Sequence, residues 1–249
     1  MILNEQNILI TGGASGIGKA LVAGLLQHGA KVIVIDQNLN GIKSLVSEFP
    51  DVAAYAADLT DIEQVKSVVG NIYHNHERIN VLVNNAGVIH SEPLINLLSP
   101  EDKKHQIDTW KKTIDINLNA VFYLTAHIAE QMVTRRHKGV IINISSIAAT
   151  GNAGQSAYSA TKAAVNALTV SWSKELGMFG IRCNSIAPGF MDTPSTQNAL
   201  SEAKIKQYQK NTPLGRLGKT EEILHALEFI IENDFYNGAI LQLDGGLKL

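Results

Sequence analysis

The stretch Asn7-Ile8-Leu9-Ile10-Thr11-Gly12-Gly13-Ala14-Ser15-Gly16-Ile17-Gly18 decides the fold of this chain. It opens with a short apolar run, which is typical of a strand buried on both faces of a sheet. The glycines that follow predict a tight turn, and residues 19–27 have the apolar spacing of an amphipathic helix. A strand, a glycine-rich turn and a helix in this order predict the first unit of a parallel sheet.

The same alternation continues along the chain. Further apolar runs predict strands at residues 31–36, 52–56, 81–84, 140–145, 181–187 and 239–243. Helical patterns lie between them, at residues 40–49, 61–75, 108–136, 157–177 and 220–232. We therefore predict a doubly wound α/β Rossmann fold, in which helices flank a single seven-stranded parallel sheet.

No linker and no change of composition divides the 249 residues, so we expect one domain that spans residues 1–249. Two segments, residues 88–107 and 190–219, are the least apolar, and each follows a predicted strand. Open α/β sheets bind ligands beyond the carboxyl ends of their strands. We interpret both segments as loops beside a substrate; ordinary surface insertions are the alternative.

Composition excludes several classes of protein. A net charge of −2 offers no basic surface to a nucleic acid. A single cysteine, Cys183, excludes a disulfide within the chain, and the eight histidines have no metal-ligand spacing, so we expect no metal site. The chain starts without the basic and apolar regions of a secretory signal, and no apolar run reaches the roughly 18 residues of a membrane span. We expect a cytoplasmic protein without a membrane partner.

The glycine turn predicts a nucleotide site. Glycine lets the backbone approach a pyrophosphate closely, and the start of the following helix supplies free N–H groups and a positive dipole end. The glycines Gly12, Gly16 and Gly18 are spaced differently from the common G-x-G-x-x-G pattern. The general fingerprint therefore applies here only in its mechanism.

Asp36 indicates which nucleotide is bound. It ends the second predicted strand, 18 residues after Gly18. A carboxylate there accepts both ribose hydroxyls of an adenosine and repels a 2′-phosphate. No basic residue stands at positions 37–39, and the turn carries Ser15. We predict NAD rather than NADP as the cofactor; the alternative is a solvated aspartate at a strand end.

Tyr158 and Lys162 form the candidate catalytic pair. Residues four apart share a helix face, so the phenol and the ammonium group point the same way. A nearby cation favours the phenolate form, which makes a tyrosine a useful general acid and base. Such a pair is common on helix surfaces. It becomes specific here because Ser145 and Ser146, which carry hydroxyl groups, end the preceding strand.

Taken together, these motifs resemble those of the short-chain dehydrogenase/reductase family, in order and spacing and over essentially the whole chain. The resemblance rests on Thr11–Gly18, Asn84-Asn-Ala-Gly87, Asn117, Ser145-Ser146, Tyr158-x-x-x-Lys162 and Pro188-Gly189. The length fits the branch of roughly 250 residues. Membership implies an NAD-dependent oxidoreductase that interconverts a secondary alcohol and a ketone.

The resemblance implies a role for each catalytic residue. Tyr158 exchanges a proton with the substrate oxygen while a hydride moves to or from the nicotinamide. Lys162 lowers the pKa of that tyrosine and holds the nicotinamide ribose, and a serine binds the substrate oxygen. Asn117 bends its helix locally and holds a water molecule that relays protons to Lys162. The implied cofactor-binding residues are Gly12, Ser15, Gly16, Ile17, Gly18, Asp36, Asp58, Leu59, Asn85, Ala86, Gly87, Tyr158, Lys162, Pro188, Gly189 and Thr193.

The choice of serine is open on spacing alone. In the family the serine usually precedes the tyrosine by 13 residues, which selects Ser145, whereas the local pattern Asn143-Ile-Ser-Ser selects Ser146. A one-residue deletion between Ala148 and Gln155 explains the difference. Because successive strand residues face opposite sides, we expect one serine only, Ser146, to reach the substrate.

Several segments resemble a subgroup, the type-2 3-hydroxyacyl-CoA dehydrogenases. They are residues 139–149, 154–158, 230–238 and 241–246. This implies a 3-hydroxyacyl or 3-oxoacyl thioester as substrate, with CoA as the carrier. The alternatives are a 3-oxoacyl-(acyl-carrier-protein) reductase, or a dehydrogenase of a polyol, sugar, hydroxybutyrate or steroid alcohol.

Two other classes remain as alternatives, a non-catalytic NAD-binding regulator and an S-adenosylmethionine methyltransferase. The complete set of catalytic residues argues against both. The family resemblance also implies a homotetramer, with one interface built from helices 108–136 and 157–177 and a second from helix 220–232 and the last strand. Only 18% of the residues are charged, against about 25% in an average protein, as extensive subunit contacts would require.

Overall fold

Seven parallel strands form one sheet in the computed structural model, which describes residues 1–4, 6–100, 102–193, 196–197 and 200–249. The strands are β1 (Asn7–Thr11), β2 (Lys31–Asp36), β3 (Ala53–Ala56), β4 (Val81–Asn84), β5 (Gly139–Ile144), β6 (Ile181–Pro188) and β7 (Ile240–Leu243). Their order across the sheet is β3-β2-β1-β4-β5-β6-β7. This order confirms the predicted Rossmann-type α/β fold.

Helices cover both faces of the sheet. They are α1 (Gly16–Gln27), α2 (Leu39–Glu48), α3 (Ile62–Asn75), α4 (Ile107–Ile114), α5 (Ala120–Thr134), α6 (Ser156–Leu176), α7 (Glu202–Asn211) and α8 (Thr220–Glu232). Within β1, Ile8 and Ile10 pack into one apolar cluster with α1 and α8, whereas Leu9 packs into a second with α3, α5 and α6. Burial on both faces explains why the strands are unbroken apolar runs.

The structure differs from the predicted elements at two places. The helix predicted at 108–136 is divided into α4 and α5 by a π-helical turn at Asp115–Asn119. The segment 190–219, expected to be a loop, contains helix α7. That helix escaped prediction because it lies on the surface, where Ile205 is its one buried residue, so it has no apolar stripe to detect.

The sheet order positions the ligand site. Chain order reverses between β1 and β4, which are neighbours although two strands separate them in sequence. A crevice opens at such a switch point, beyond the carboxyl ends of the strands. No helix in the described part of the chain is long and apolar enough to cross a membrane.

Candidate active site

A cavity of about 880 Å³ lies beyond the carboxyl ends of the strands and contains nearly all the predicted site residues. Both serines, Tyr158 and Lys162 line it together with the glycine turn and Asp36. Asp58, Leu59, Asn85, Ala86, Gly87, Pro188, Gly189 and Thr193 line it as well. Of the predicted residues, Gly18 and Asn117 alone are absent from the lining, and both support it from behind.

The turn between β1 and α1 has the geometry of a phosphate cradle. Gly12 and Gly16 have φ angles of +66° and +53°, a region that favours glycine. A Cβ atom on Gly18 would lie 2.1 Å from the carbonyl oxygen of Gly12, so a side chain there would displace the turn. Ser15 precedes α1 in an extended conformation, and its side chain does not cap the helix. The free N–H groups of the helix start therefore suit a pyrophosphate.

Thr11 and Asn85 fasten this turn to β4, a contact that sequence analysis missed. The Thr11 hydroxyl accepts hydrogen bonds from the backbone N–H groups of Asn85, at 3.0 Å, and Ala86, at 2.9 Å. The Asn85 amide donates in return to the carbonyl groups of Thr11, at 2.9 Å, and Gly12, at 3.2 Å. The two strand ends at the switch point are thereby held in one arrangement.

Asp36, the last residue of β2, is fixed at one end of the cavity by its neighbours' backbone. Its Oδ2 accepts from the N–H of Ala14 at 3.0 Å, and its Oδ1 accepts from the N–H of Asn38 at 2.9 Å. Each carboxylate oxygen retains further acceptor capacity. Lys162, at the other end, is the one cation among the described residues that line the cavity, so nothing there offsets the charge of Asp36.

The two serines have different environments. Ser145 is buried, and its hydroxyl donates to the backbone carbonyl of Lys162 at 3.3 Å. The Ser146 oxygen accepts from the N–H of Ala148 at 3.1 Å and lies beside the Tyr158 phenol. The Ser146 hydroxyl therefore lies beside the phenol of the candidate catalytic tyrosine, whereas the Ser145 hydroxyl is bonded to the backbone.

Tyr158 and Lys162 are both buried at the catalytic end of the cavity. Burial raises the pKa of the Tyr158 phenol, and the Ser146 hydroxyl opposes this rise. Burial lowers the pKa of Lys162 to about 8. The lysine Nζ donates to the carbonyl of Ile144 at 2.7 Å and lies 5.7 Å from the centre of the tyrosine ring. Burial and the Ser146 hydrogen bond are the two causes that act on the pKa of Tyr158, so the role expected for Lys162 in lowering that pKa stays a prediction.

Asn117 lies in the π-helical turn, directly behind the cavity wall. It is fully buried, its Oδ1 accepts from the N–H of Val88 at 2.8 Å and its Nδ2 donates to the carbonyl of Val88 at 2.8 Å. A Cβ atom on Gly87 would meet Asn117 Oδ1 at 3.2 Å and Lys162 Nζ at 3.8 Å. The asparagine and the lysine therefore flank the same glycine.

A polar wall formed by Ser91, Asn152 and Gln155 completes the cavity, and sequence analysis did not single it out. The Gln155 Nε2 donates to the Ser91 hydroxyl at 3.1 Å, and the Asn152 Nδ2 donates to Gln155 Oε1 at 2.9 Å. The one sequence signal was the position of Gln155, three residues before Tyr158 and therefore on the same side of the helix start.

A parallel sheet with a nucleotide cradle at its switch point, and a serine, tyrosine and lysine beside it, defines an oxidoreductase that uses a nicotinamide nucleotide. The comparisons agree. Residues 6–204 match the family model for short chain dehydrogenases. The chain belongs to the short-chain dehydrogenase/reductase family and is an NAD(P)-dependent oxidoreductase.

The relatives span several substrates. The chain is 38% identical to a 3-oxoacyl-(acyl-carrier-protein) reductase of Thermotoga maritima, over 100% of both chains. It is 35% identical to a sorbitol-6-phosphate 2-dehydrogenase of Klebsiella pneumoniae, over 98% of this chain and 96% of that protein. A crystal structure of a putative gluconate dehydrogenase from Agrobacterium tumefaciens is similar with a TM-score of 0.89 and 28% identity, over 99% and 98% of the two chains.

Proposed function

We propose that this protein is an NAD-dependent reductase of 3-oxoacyl thioesters, which forms the 3-hydroxyacyl product and also catalyses the reverse reaction. The observation that carries the proposal is the meeting of Ser146, Tyr158 and Lys162 in the same cavity as the nucleotide cradle. The bound nicotinamide would supply or accept the hydride. The chain would supply the proton and orient the carbonyl.

Each catalytic residue has a task that its environment supports. Tyr158 is protonated at neutral pH because burial raises its pKa, so it donates a proton to the carbonyl oxygen during reduction. The hydroxyl of Ser146 donates a hydrogen bond to that same oxygen. Lys162 holds the nicotinamide ribose. Asn117, behind Gly87, would hold the water molecule that returns a proton through Lys162.

The remaining predicted contacts belong to the cofactor. The cradle, namely Gly12, Ser15, Gly16, Ile17 and Gly18, would hold the pyrophosphate. Asp58 and Leu59 would meet the adenine ring, and Asn85, Ala86 and Gly87 would lie along the adenosine ribose. Pro188 and Gly189 would frame the nicotinamide, with Thr193 reaching its carboxamide.

We propose NAD rather than NADP because Asp36 stands at the adenosine end with no described cation beside it. A 2′-phosphate placed there would meet an uncompensated carboxylate. Titration of the protein with NADH and with NADPH, followed by nucleotide fluorescence, tests this choice. We expect NADH to bind more tightly, and tighter binding of NADPH would overturn the proposal.

Acyl carrier protein is favoured over CoA as the carrier of the substrate. The relative at 38% identity is a 3-oxoacyl-(acyl-carrier-protein) reductase, and two more such reductases are 33% identical. The 3-hydroxyacyl-CoA dehydrogenase expected from short segments has no specific support from these relatives. A sugar or polyol dehydrogenase is the second candidate, because the wall formed by Ser91, Asn152 and Gln155 is polar.

The substrate is tested by NADH consumption with acetoacetyl-acyl carrier protein, acetoacetyl-CoA, a ketose and a steroid ketone. We expect the highest kcat/KM with acetoacetyl-acyl carrier protein. A higher value with the ketose would establish the second candidate instead. Tight NADH binding without turnover of any of these compounds would contradict the proposed catalytic activity. It would favour a nucleotide-binding regulator.

We also propose a homotetramer, as the family resemblance implies. Two aromatic side chains support an interface along α4, α5 and α6. Phe122 on α5 is 48% exposed and packs beside Trp172 of α6, and Trp110 on α4 is 39% exposed. A partner subunit packed along these helices would cover both aromatic side chains and bury their apolar surface.

A further inference from the structure

The segment after β4 forms a folded unit that contacts the cavity wall. The described residues of this segment, 92–100 and 102–106, double back on themselves: the N–H of Asn96 donates to the carbonyl of Lys103 at 2.6 Å, and the N–H of His105 donates to the carbonyl of Leu94 at 2.9 Å. The base of this unit pairs with the loop before Tyr158, where the N–H of Glu92 donates to the carbonyl of Gly154 at 2.7 Å. We call residues 92–100 and 102–106 the excursion.

The Glu92 carboxylate closes the base of the excursion. Its side chain is 17% exposed. Its Oε1 accepts from the N–H of Gln106, the residue before α4, at 3.2 Å. Its Oε2 lies 3.3 Å from His90 Nε2 and 3.5 Å from His105 Nδ1. One carboxylate thus joins the start of the excursion, its end and the start of α4, where the helix dipole favours a negative charge.

The fastened base lies next to the substrate. Ser91 precedes Glu92 in the chain and accepts a hydrogen bond from Gln155 at 3.1 Å. Both Ser91 and Gln155 line the cavity, whereas Glu92 does not. Glu92 bonds to Gly154, and the adjacent Ser91 bonds to Gln155. Both contacts therefore depend on the Glu92 carboxylate, which holds the two ends of the excursion together.

We propose that Glu92 is a positioning residue for the substrate: by closing the base of the excursion, it holds the Ser91–Gln155 wall in the shape that receives the carbonyl compound. The positioning role of Glu92 rests on the proposed function only for the identity of the carbonyl substrate. The contacts of Glu92 are with Gly154, Gln106, His90 and His105, none of which belongs to the nucleotide cradle. Its loss is therefore expected to change substrate recognition and to leave nucleotide binding intact.

The test compares three variants of the full-length protein. Glu92→Ala removes every carboxylate contact, whereas Glu92→Gln keeps an oxygen that accepts from Gln106. Asp102→Asn is the matched control, because Asp102 lies on the same excursion and its carboxylate bonds, among the described residues, to Lys104. We expect Glu92→Ala to raise the KM for acetoacetyl-acyl carrier protein about tenfold, as the loss of charge-assisted hydrogen bonds suggests. Both kcat and the KM for NADH are expected to change less than about twofold.

We expect the KM of Glu92→Gln for acetoacetyl-acyl carrier protein to lie between those of Glu92→Ala and wild type. The KM of Asp102→Asn is expected to match that of wild type. An unchanged substrate KM in Glu92→Ala, or an equal rise in both KM values, would overturn the proposal. Amide hydrogen exchange provides a readout besides activity: Glu92→Ala is expected to speed exchange at His105 and Asn96 while α6 keeps its protection. If the wild-type protein reduces none of the compounds, the proposed function has failed, and unchanged exchange at these amides would separately overturn the role of Glu92.

Discussion

Ser145 and Ser146 are neighbours in the chain whose hydroxyl groups have different environments. They are adjacent, yet Ser145 turns back to the carbonyl of Lys162 while Ser146 faces the phenol of Tyr158. The family spacing selected Ser145, whereas the local pattern Asn143-Ile-Ser-Ser selected Ser146, and alternation along a strand implied that only one of them reaches the substrate. The different environments of the two hydroxyl groups are consistent with this alternation, and the choice of Ser146 stays a prediction.

Substitution of each serine tests this assignment. We expect Ser146→Ala to lower kcat about 100-fold, the cost of removing one donor to a developing oxyanion. Ser145→Ala, the matched control, is expected to keep kcat within a few-fold because its hydroxyl bonds only to backbone. Steady-state NADH oxidation measures both, and the reverse ranking of the two variants would show that Ser145 is the catalytic serine.

Lys162 makes the stability of the protein depend on pH. Its pKa falls from the ordinary 10.5 to about 8 in the folded state because the ammonium group is buried. Between these values the unfolded chain binds a proton that the folded chain does not, so raising the pH favours folding. The penalty for the buried charge is complete below about pH 8 and is relieved above it.

Lys162→Met removes this dependence. Between about pH 7.5 and pH 9.5, we expect the free energy of unfolding of wild type to rise by roughly 2 kcal/mol relative to the variant. Urea denaturation without nucleotide at the two pH values measures this difference. A constant difference between wild type and variant would mean that the buried lysine keeps its ordinary pKa.

At the residue scale, the sequence predicted the candidate site residues that are related by regular spacing or by their position at the end of a strand. Tyr158 and Lys162 share a helix face, and Asp36 ends a strand, so both could be identified without coordinates. The contact of Thr11 with Asn85, and of Ser91 with Gln155, joins residues 74 and 64 positions apart. No local pattern encodes such pairs, which explains why they emerged only from the structure.

At the scale of elements, the turn between β1 and α1 depends on the absence of side chains. A Cβ atom on Gly18 would overlap the carbonyl oxygen of Gly12 and lie 2.7 Å from the Asn85 amide. The turn would have to open, which would also release its bonds to β4. By contrast, a Cβ atom on Gly70 in α3 would meet nothing within 4 Å.

The pair Gly18→Ala and Gly70→Ala separates these effects. We expect Gly18→Ala to weaken NADH binding at least about tenfold and to lower the free energy of unfolding by about 1–3 kcal/mol, as overpacking does. Gly70→Ala is expected to leave binding unchanged and to raise the free energy of unfolding by up to about 1 kcal/mol, since alanine favours a helix. Nucleotide titration and urea denaturation measure the two quantities, and wild-type NADH affinity in Gly18→Ala would contradict the role of the turn.

Element prediction succeeded where burial was strong and failed where it was weak. All seven strands and the helices that pack on the sheet have apolar patterns, and they were predicted. Helix α7 buries little and has no such pattern. The π-helical turn was invisible as well, because periodicity does not register one inserted residue; only the resemblance implied a bend at Asn117.

At the scale of the whole molecule, the low content of charged residues has one cause in the fold, and the proposed tetramer would add a second. The sheet is buried on both faces, which the structure confirms. The exposed aromatic side chains on α4 and α5 are accounted for by the proposed tetramer, in which a partner helix would cover them. Substitution of these exposed aromatic residues therefore tests the proposed tetramer more directly than the content of charged residues does.

Phe122→Glu is the variant that tests assembly. A buried, unpaired charge is costly, so we expect light scattering to show a mass four times that of the chain for wild type and a smaller species for the variant. Leu39→Glu is the control, because Leu39 is 61% exposed at the start of α2, away from the proposed interfaces. A monomeric wild type would contradict the tetramer, and so would a Phe122→Glu variant that keeps the mass of a tetrameric wild type.

The central claim is that Tyr158 transfers the proton that accompanies hydride transfer. Tyr158→Phe keeps the ring and removes only the hydroxyl. The direct measurement is single-turnover oxidation of bound NADH by acetoacetyl-acyl carrier protein, in wild type and in Tyr158→Phe, with NADH affinity measured alongside. We predict wild-type NADH binding with a hydride-transfer rate at least about 100-fold lower, the usual contribution of a general acid; hydride transfer at the wild-type rate would contradict the account.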